Sequence, residues 1–423
     1  MQSIKNNYPK FHSNVKEFTL DEIPIIGNFR STTIIGLDDV GVNLISKIKN
    51  ETADLNNLTP KEQELFDALK SNGFFDSDDV PFALSSLYLH VTDHCNLHCV
   101  GCYSYIDNRN KNNDLTLEQI KTIVKNLKDL HLQYLVISGG EPFLRDDLPE
   151  ILKFIRETLD LKEFSIISNG TMPFEKYDKC LPYLDKIAIS VDGYSNDTRF
   201  IRDPGIMPKV FETIEYLKNK IPVSLIATLH RKTSPFINNF VEMSKSIDVP
   251  LNFSILTLDY SNPLFKDYIL RDDDYENMNN FLKERSHEGI SIQDSKIGNT
   301  TLYATNRCGV GKDCISISAD GSIYPCQMLH VPELKMGNAL TDDIKELLIS
   351  DQNPYKDFDV DKFAECAECE YRYVCGGGCR ASSYYKYHDI LHPEAACKHT
   401  KEHFKNIVSE IKAKIALLPK NQE

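Results

Sequence analysis

The chain has 423 residues, with 48 Lys or Arg against 62 Asp or Glu, so its formal charge at pH 7 is −14. This length predicts two to four domains, and the charge excludes a general attraction to nucleic acid or to an anionic membrane, while leaving a local basic patch open. The composition is 41% hydrophobic and 26% charged with no window near ~18 apolar residues, which excludes membrane-spanning and disordered proteins.

Residues 1–82 are predicted to form a small α+β domain. The first residues lack the apolar stretch of a secretory signal, which favours a cytoplasmic location. Short strands are expected at 15–20 (VKEFTL) and 32–36 (TTIIG), with a turn-rich DEIPIIGNFRS between them. Helices are expected at 38–50, after an acidic cap, and at 59–73, which begins with Thr-Pro and ends on Gly.

Residues 83–300, after a predicted linker at 76–80, alternate strand and helix patterns. Six apolar runs are predicted as strands, at 87–91, 134–138, 163–168, 186–191, 222–227 and 252–256. Amphipathic segments between them are predicted as helices, for example at 115–130, 148–159 and 208–219. Parallel strands need such crossovers, so the predicted fold class is α/β, a partial (β/α)6 TIM barrel with its chemistry at the C-terminal strand ends.

The remaining chain is dominated by cysteines. In a cytoplasmic protein, clustered cysteines bind metal more often than they form disulfides. Residues 301–400 are therefore predicted to be a domain organised around metal. Residues 401–423 are predicted to be a C-terminal helix, on the evidence of a helix pattern at 398–418. Of the 12 cysteines, Cys180 stands alone and is expected to be a small core residue.

Three cysteines, Cys95, Cys99 and Cys102, follow the first predicted barrel strand. Three thiolates can bind three irons of a four-iron cluster and leave the fourth iron open for a ligand. The alternative is a structural zinc site, for which His94 or His98 would supply the fourth ligand.

The Cys-x3-Cys-x2-Cys spacing after a first barrel strand resembles the signature of the radical S-adenosylmethionine (SAM) superfamily, and the resemblance covers roughly residues 85–260. It implies a 4Fe–4S cluster that binds SAM and cleaves it to a 5′-deoxyadenosyl radical, which abstracts hydrogen from the substrate. It also implies SAM contacts at successive strand ends, each of which alone also fits a turn or a solvated loop. They are Gly139, Gly140 and Glu141 for the amine, Ser168 and Asn169 for the ribose, Ser190 and Asp192, Arg202 for the carboxylate, and Leu258 and Tyr103 for adenine.

One position departs from the superfamily pattern. The residue before the third cysteine is often aromatic in the superfamily, and here it is Gly101, with Tyr103 following the cysteine instead. This departure weakens the expected contact between Tyr103 and adenine.

The tail resembles the SPASM extension of radical SAM enzymes that act on peptides and proteins. The spacing Cys-x2-Cys-x5-Cys-x3-Cys is present without deviation, and four residues separate Gly321 from Cys326. The resemblance implies two auxiliary 4Fe–4S clusters, three in all, although zinc ribbons are an alternative. The first would be held by Cys308, Cys314, Cys326 and Cys379, and the second by Cys366, Cys369, Cys375 and Cys397. Because four thiolates fill a four-iron cluster, electron transfer or a scaffold role is favoured over substrate ligation.

The N-terminal domain resembles the winged-helix peptide-recognition domain of maturases of ribosomally synthesised peptides, with a weak middle helix in ETADLNN. A plain α+β packing domain is the alternative. The resemblance implies that a precursor peptide binds through its leader as an added strand, and that flavodoxin or ferredoxin donates electrons. The predicted function is a peptide maturase that installs an intramolecular crosslink, either a thioether, as in sactipeptides, or a carbon–carbon bond.

Two other functions stay open. Sulfatase-maturing enzymes, which form formylglycine, resemble this chain in all eight tail cysteines, but they carry an Asp base where this chain has Gln327. The other is a non-catalytic iron–sulfur or zinc scaffold that binds peptide. No catalytic base is assigned, and Asp259 and Tyr260 are expected to face the cavity without a role being given to them.

Overall fold

A computed structural model describes residues 8–75, 82–105, 109–111, 114–285, 288, 290, 292, 295–297 and 301–417. The predicted linker at 76–80 lies outside these residues. No helix in the described part of the chain is both long enough and apolar enough to cross a membrane.

The N-terminal part is a three-stranded antiparallel sheet followed by two helices. Its elements are β1 (Val15–Leu20), β2 (Ile23–Asn28), β3 (Thr33–Gly36), α1 (Asp39–Lys49) and α2 (Pro60–Ser71). Asp38 caps α1 by accepting from the Gly41 N–H, and Thr59 and Glu62 form a reciprocal capping box at the start of α2. Both helices therefore begin where the capping residues in the sequence predict.

The middle strand of this sheet was expected to be a turn-rich segment, and that prediction is wrong. Ile23–Asn28 pairs with β1 along its whole length, from Leu20 opposite Ile23 to Val15 opposite Asn28. The strand was not predicted because it contains Pro24 and Gly27, and both residue types are typical of turns. Residues 51–57, where a weak middle helix was expected, form turns and irregular structure.

Six parallel strands in chain order form the predicted partial barrel, which confirms the fold class. They are β4 (Ser86–Thr92), β5 (Tyr134–Gly139), β6 (Glu163–Ser168), β7 (Lys186–Val191), β8 (Val223–Leu229) and β9 (Leu251–Ile255). The helices are α3 (Leu117–Asn126), α4 (Leu148–Thr158), α5 (Phe174–Asp178), α6 (Met207–Leu217), α7 (Ile237–Ile247) and α8 (Asp272–Glu284). Buried apolar residues of these helices and of alternate strand positions form the largest core cluster.

The barrel sheet continues into the cysteine-rich tail, which the sequence did not predict. β10 (Cys314–Ile317) runs parallel to β4, with Cys314 opposite Ser86, and β11 (Ser322–Tyr324) and β12 (Gly337–Asn338) follow as antiparallel neighbours. The sheet therefore has nine strands in the order β12-β11-β10-β4-β5-β6-β7-β8-β9. A tail cysteine thus lies directly beside the strand that leads to the first three cysteines.

The tail also contains helices and packs against the N-terminal sheet. The helices are α9 (Ile344–Ile349), α10 (Ala364–Ala367), α11 (Arg372–Cys375), α12 (Arg380–Tyr387) and α13 (Cys397–Ala416). One buried apolar cluster joins Leu20 and Ile25 of the N-terminal sheet to Val374 of the tail and to Phe404 and Val408 of α13. The N-terminal sheet is therefore packed against the segment that carries the last tail cysteines.

Candidate functional site

The loop after β4 carries the first three cysteines and is held in place by hydrogen bonds. Asn110 clamps Cys95 on both sides, since its Oδ1 accepts from the Cys95 N–H at 2.8 Å and its Nδ2 donates to the Cys95 carbonyl at 3.2 Å. Asp114 anchors the start of the loop by accepting from the Asp93 N–H at 2.9 Å. The loop is thereby fixed at the C-terminal end of β4, where the barrel prediction places the chemistry.

A cavity of about 150 Å³ adjoins this loop at the C-terminal strand ends. Cys99 and Cys102 line it, and burial raises the pKa of the Cys99 thiol to about 11, against the opposing charge of Arg202. Other strand ends and loops complete the lining with Tyr88, Val100, Gly101, Tyr103, Ile167, Ser190, Ile201, Arg202, Ile226, Thr228, Ser254, Ile255, Leu256, Thr257, Gln327 and Met328. The structure thus brings Cys99, Cys102, Tyr103, Ser190 and Arg202 together around one volume.

The two glycines after β5 contact protein backbone. A Cβ atom on Gly139 would lie 2.2 Å from the Thr92 carbonyl oxygen, and one on Gly140 would lie 2.1 Å from the His94 carbonyl oxygen. The Gly140 N–H donates to the Thr92 carbonyl at 2.7 Å. These glycines therefore let the end of β5 pack against the chain as it enters the cysteine loop.

The Glu141 side chain is fully buried, and its carboxylate is already occupied by donors from the protein. It accepts from the Phe143 N–H at 3.2 Å, from Ser168 Oγ at 3.0 Å and from the Asn169 N–H at 2.7 Å. Burial raises the pKa of Glu141 to about 7, although these hydrogen bonds oppose the rise. In this arrangement Glu141 ties the end of β5 to the end of β6, and it is not among the residues that line the cavity.

Ser168 and Asn169, predicted to contact ribose, also make contacts within the protein. Ser168 Oγ donates to Glu141, and Asn169 Nδ2 donates to Asn96 Oδ1 at 2.8 Å. Asn96 in turn donates to Thr171 Oγ1 at 2.9 Å. The end of β6 is thus linked to the cysteine loop through the residue that follows Cys95.

Asp192 positions the loop that carries Arg202. Its carboxylate accepts from the backbone N–H groups of Phe200 at 2.8 Å, Ile201 at 3.0 Å and Arg202 at 3.0 Å. The Ile201 carbonyl then accepts from the Val100 N–H at 2.8 Å, within the cysteine loop. A buried carboxylate with three N–H donors fixes a loop firmly, so the backbone that carries Arg202 is held against the cysteine loop.

The predicted adenine contacts fall in two different places. Tyr103 lines the cavity, and its hydroxyl lies 2.6 Å from Ser138 Oγ. Leu258 packs instead against Gly101, where a Cβ atom would lie 2.6 Å from Leu258 Cδ2, and Leu256 takes a place in the cavity lining. Gly101 also has a φ of 68°, so an aromatic side chain before Cys102 is excluded by both backbone and space.

The four thiols assigned to the first auxiliary cluster lie near one another. Burial raises the pKa of Cys326 well above its ordinary value, and Cys314, Cys308 and Cys379 add to the rise. Burial likewise raises the pKa of Cys314, with Cys308 and Cys379 contributing. Such mutual effects require the four sulfur atoms to lie within electrostatic range of one another.

The other four tail cysteines form a second group. Cys366, Cys369, Cys375 and Cys397 line one small enclosed space together with Glu394. Burial raises the pKa of Cys366 to about 11, and Cys397 and Cys369 contribute to this. Glu394 is almost fully buried and accepts from the Cys379 N–H at 3.1 Å, so it joins the two groups of four.

The donor sets fit the iron–sulfur clusters that the sequence implies. Each tail group offers four thiols, and the barrel loop offers three beside a cavity whose lining includes the hydroxyl of Ser190 and the cationic Arg202. In the described part of the chain, no three His, Cys, Asp or Glu side chains converge closely enough to hold a single metal ion.

Asp259 and Tyr260, to which no role was assigned, lie in the loop after β9. Asp259 accepts from the N–H of Ser261 at 2.8 Å and from Ser261 Oγ at 2.6 Å, and its Oδ1 is 3.8 Å from His388 Nε2. Neither Asp259 nor Tyr260 is among the described residues that line the cavity. Cys180 is buried in the barrel core, as the sequence predicts.

Sequence reasoning missed several residues that hold or line the site. Asn96, Asn110 and Asp114 fix the cysteine loop, and Leu256 lines the cavity. Arg109 is also buried, and its Nη1 lies 3.7 Å from the Cys102 sulfur. Loop Asn, Asp and Arg residues are usually solvated, so their pattern gave no signal; only Leu256, at the end of the sixth apolar run, could have been found from its position.

Comparison with protein families identifies two domains. The radical SAM superfamily matches residues 89–235, and an iron–sulfur cluster-binding domain, SPASM, matches residues 308–370. The chain therefore contains a radical SAM domain followed by a SPASM domain, and SAM and iron–sulfur clusters are the cofactors that these domains bind. This confirms the two resemblances seen in the sequence.

Individual relatives are more distant. A cysteine-type anaerobic sulfatase-maturating enzyme of Clostridium perfringens is 26% identical over 363 residues, covering 76% of this chain and 95% of that protein. The solved structure of native anSMEcpe with bound AdoMet has a TM-score of 0.63 at 22% identity, covering 78% of this chain and 99% of that one. Streptococcus suis SuiB bound to precursor peptide SuiA has a TM-score of 0.59 at 15% identity, covering 92% of this chain and 100% of that one. At these identities the two structures establish a shared fold.

Proposed function

We propose that this chain, which contains a radical SAM domain and a SPASM domain, is a maturase that installs an intramolecular thioether or carbon–carbon crosslink in a ribosomally made precursor peptide. The observation that carries the proposal is the N-terminal sheet, in which β3 is an edge strand with half-buried Ile34 and Ile35. An edge strand offers unpaired backbone groups and side-chain pockets to an extended peptide. A leader segment added to β3 would be bound in this way.

Similarity to SuiB supports the same assignment. The match with SuiB covers 92% of this chain, while the match with anSMEcpe covers 78%, and a shared N-terminal domain would account for such a difference. SuiB was solved with its precursor peptide SuiA. The electron donor is proposed to be a flavodoxin or a ferredoxin, and the protein is proposed to act in the cytoplasm.

The residues around the cavity have distinct tasks in the proposed reaction. When bound, SAM and the reduced cluster supply a 5′-deoxyadenosyl radical. Asp192 fixes the loop that presents Arg202, whose charge suits the SAM carboxylate, and Ser190 supplies a hydroxyl at the same end of the cavity. Apolar lining from Ile226 and Leu256 excludes water and stray hydrogen donors from the reacting groups.

The cavity is lined by residues of both the barrel and the tail, which suggests where the peptide lies. Cys99 and Cys102 line it, and so do Gln327 and Met328, which directly follow Cys326 of the first tail group. A peptide segment in the cavity would lie between the radical source and the tail. Closing a crosslink after hydrogen abstraction leaves one electron to be removed. The iron–sulfur clusters that the eight tail thiolates would hold could accept this electron.

Sulfatase maturation is the second candidate, favoured by similarity to the Clostridium perfringens enzyme. Gln327 argues against it, because an amide at this place in the cavity lining cannot accept a proton as a carboxylate does. A scaffold without catalysis is disfavoured by the cavity itself, where Ser190 and Arg202 lie beside two of the three cysteines.

The direct test is a mass measurement on the peptide. The anaerobically reconstituted chain would be incubated with SAM, a reductant and the peptide from a short reading frame beside its own. A crosslink removes two hydrogens from the product. A product of unchanged mass, with 5′-deoxyadenosine formed, would favour epimerisation instead. Formylglycine in a sulfatase-type peptide would support the second candidate, and the same peptide without its leader is the matched control for β3 binding.

A further inference from the structure

Arg109 is a buried cation directly below the three-cysteine loop. Only 9% of the residue is exposed, and its Nη1 donates to the Cys102 sulfur across 3.7 Å. In the described part of the chain, the buried Nε of Arg109 has no hydrogen-bond partner. The guanidinium is therefore aimed at the cysteine site with part of its donor capacity unused.

The segment that carries Arg109 contacts two of the three cysteines. The Arg109 side chain contacts Cys102, and the neighbouring Asn110 holds the backbone of Cys95 through two hydrogen bonds.

A buried cation without a full set of acceptors is unfavourable, and proteins retain one where an anion compensates it. Protonated thiols cannot provide that compensation. Three thiolates on an iron–sulfur cluster can, because the assembly carries negative charge and its sulfur atoms accept hydrogen bonds. The buried Arg109 guanidinium therefore fits the negatively charged iron–sulfur cluster that a radical SAM domain binds.

We propose that Arg109 is the counter-charge of the three-cysteine cluster and a positioning residue for it, donating to the Cys102 sulfur and favouring the reduced state. A nearby cation stabilises the more negative state of a redox centre, and hydrogen bonds to its sulfur ligands act in the same direction. This inference depends on the cluster in the radical SAM domain and is independent of which peptide is modified.

The test is a redox titration of the holoenzyme, followed by electron paramagnetic resonance. SAM perturbs the signal of the cluster to which it binds, and this distinguishes the three-cysteine cluster from the tail clusters. In Arg109→Gln, the reduced fraction of this cluster at the wild-type midpoint should fall from about one half to about one tenth or less. Arg109→Lys keeps the charge and should stay close to the wild type. Arg199→Gln, an exposed arginine in the loop after β7, removes the same charge and should leave the midpoint unchanged.

Iron content is measured on all three variants. Loss of one cluster's iron in Arg109→Gln but not in Arg109→Lys would support the proposal, because the charge would then be needed for assembly. An unchanged midpoint with full iron in Arg109→Gln would overturn it. Equal loss of iron in Arg109→Gln and Arg109→Lys would also overturn it, since a shape requirement and not a charge would then be responsible.

Discussion

The barrel loop and the tail present cysteines in opposite surroundings. Cys99 and Cys102 form part of a cavity wall beside Ser190 and Arg202, and their loop provides three thiols. The tail has eight thiols in two groups of four, and burial raises the pKa of Cys326 in one group well above its ordinary value. We therefore expect the reaction at the barrel loop, where three thiols leave one iron open beside a cavity. We expect electron storage in the tail, where four thiols fill each cluster.

Each of the two regions also contains a buried charged side chain that holds backbone groups in place. In the barrel, carboxylates and amides collect backbone N–H groups, as Asp192 does for the Arg202 loop. In the tail, Arg380 donates to backbone carbonyls of Gly378 at 3.3 Å, Ile390 at 2.9 Å and His392 at 2.8 Å, and also to that of Gly377. A buried anion thus fixes a loop beside the barrel cavity, and a buried cation fixes backbone segments in the tail.

The largest effect is expected at Arg380, which is 1% exposed. Arg380→Met leaves several buried carbonyls without a donor, so it should destabilise the tail by about 3 kcal/mol. Iron analysis after mild heating should show loss from the tail clusters, with the three-cysteine cluster retained. Arg285→Met, at a surface arginine paired with Glu242, is the control and should keep all its iron. Equal iron in the two variants would contradict a separate role for Arg380.

A smaller effect is expected at Asp192. Asp192→Asn replaces one acceptor oxygen by an NH2 group that faces backbone donors, which should weaken SAM binding by about 2 kcal/mol, or roughly 30-fold, through displacement of Arg202. Calorimetric titration with SAM measures this. Asp197→Asn, at an exposed position in the same loop, should bind SAM as the wild type does. If Asp192→Asn matches this control, the carboxylate does not position Arg202.

The smallest effect is expected where the N-terminal sheet meets the tail. Lys16 Nζ pairs with Asp361 and donates to the Tyr373 hydroxyl at 3.2 Å. Lys16→Met should lower peptide conversion by about fivefold, since such part-exposed pairs contribute about 1 kcal/mol. SAM cleavage without peptide should not change. Lys49→Met, which breaks the exposed pair with Glu17 inside the N-terminal domain, is the matched control. Equal conversion by both variants would exclude coupling through Lys16.

The barrel and the cysteine pattern were predictable from sequence because each has a strong periodic signal. The apolar runs at 163–168 and 186–191 match β6 and β7 residue for residue. The strand Ile23–Asn28 was missed because Pro24 and Gly27 imitate a turn. β10 was missed because it is only four residues long and begins at a cysteine, and its partner β4 lies more than 200 residues earlier.

The site was predicted less completely than the fold. The sequence pointed to Ser190 and Arg202, which line the cavity, but it could not show that Glu141 and Asp192 direct their carboxylates to protein N–H groups. The burial of Arg109 could not be predicted, because a basic residue among Asp and Asn is typical of a solvated loop. Long-range contacts, which no local pattern encodes, decide whether such a side chain is buried.

The central claim is that the three-cysteine loop cleaves SAM while the tail serves the later oxidation. It is tested most directly by measuring 5′-deoxyadenosine and peptide product together in anaerobically reconstituted protein. The triple variant Cys95/Cys99/Cys102→Ala should form neither, whereas Cys375→Ala should still form 5′-deoxyadenosine and lose the crosslinked product. Formation of 5′-deoxyadenosine by the triple variant would contradict the account.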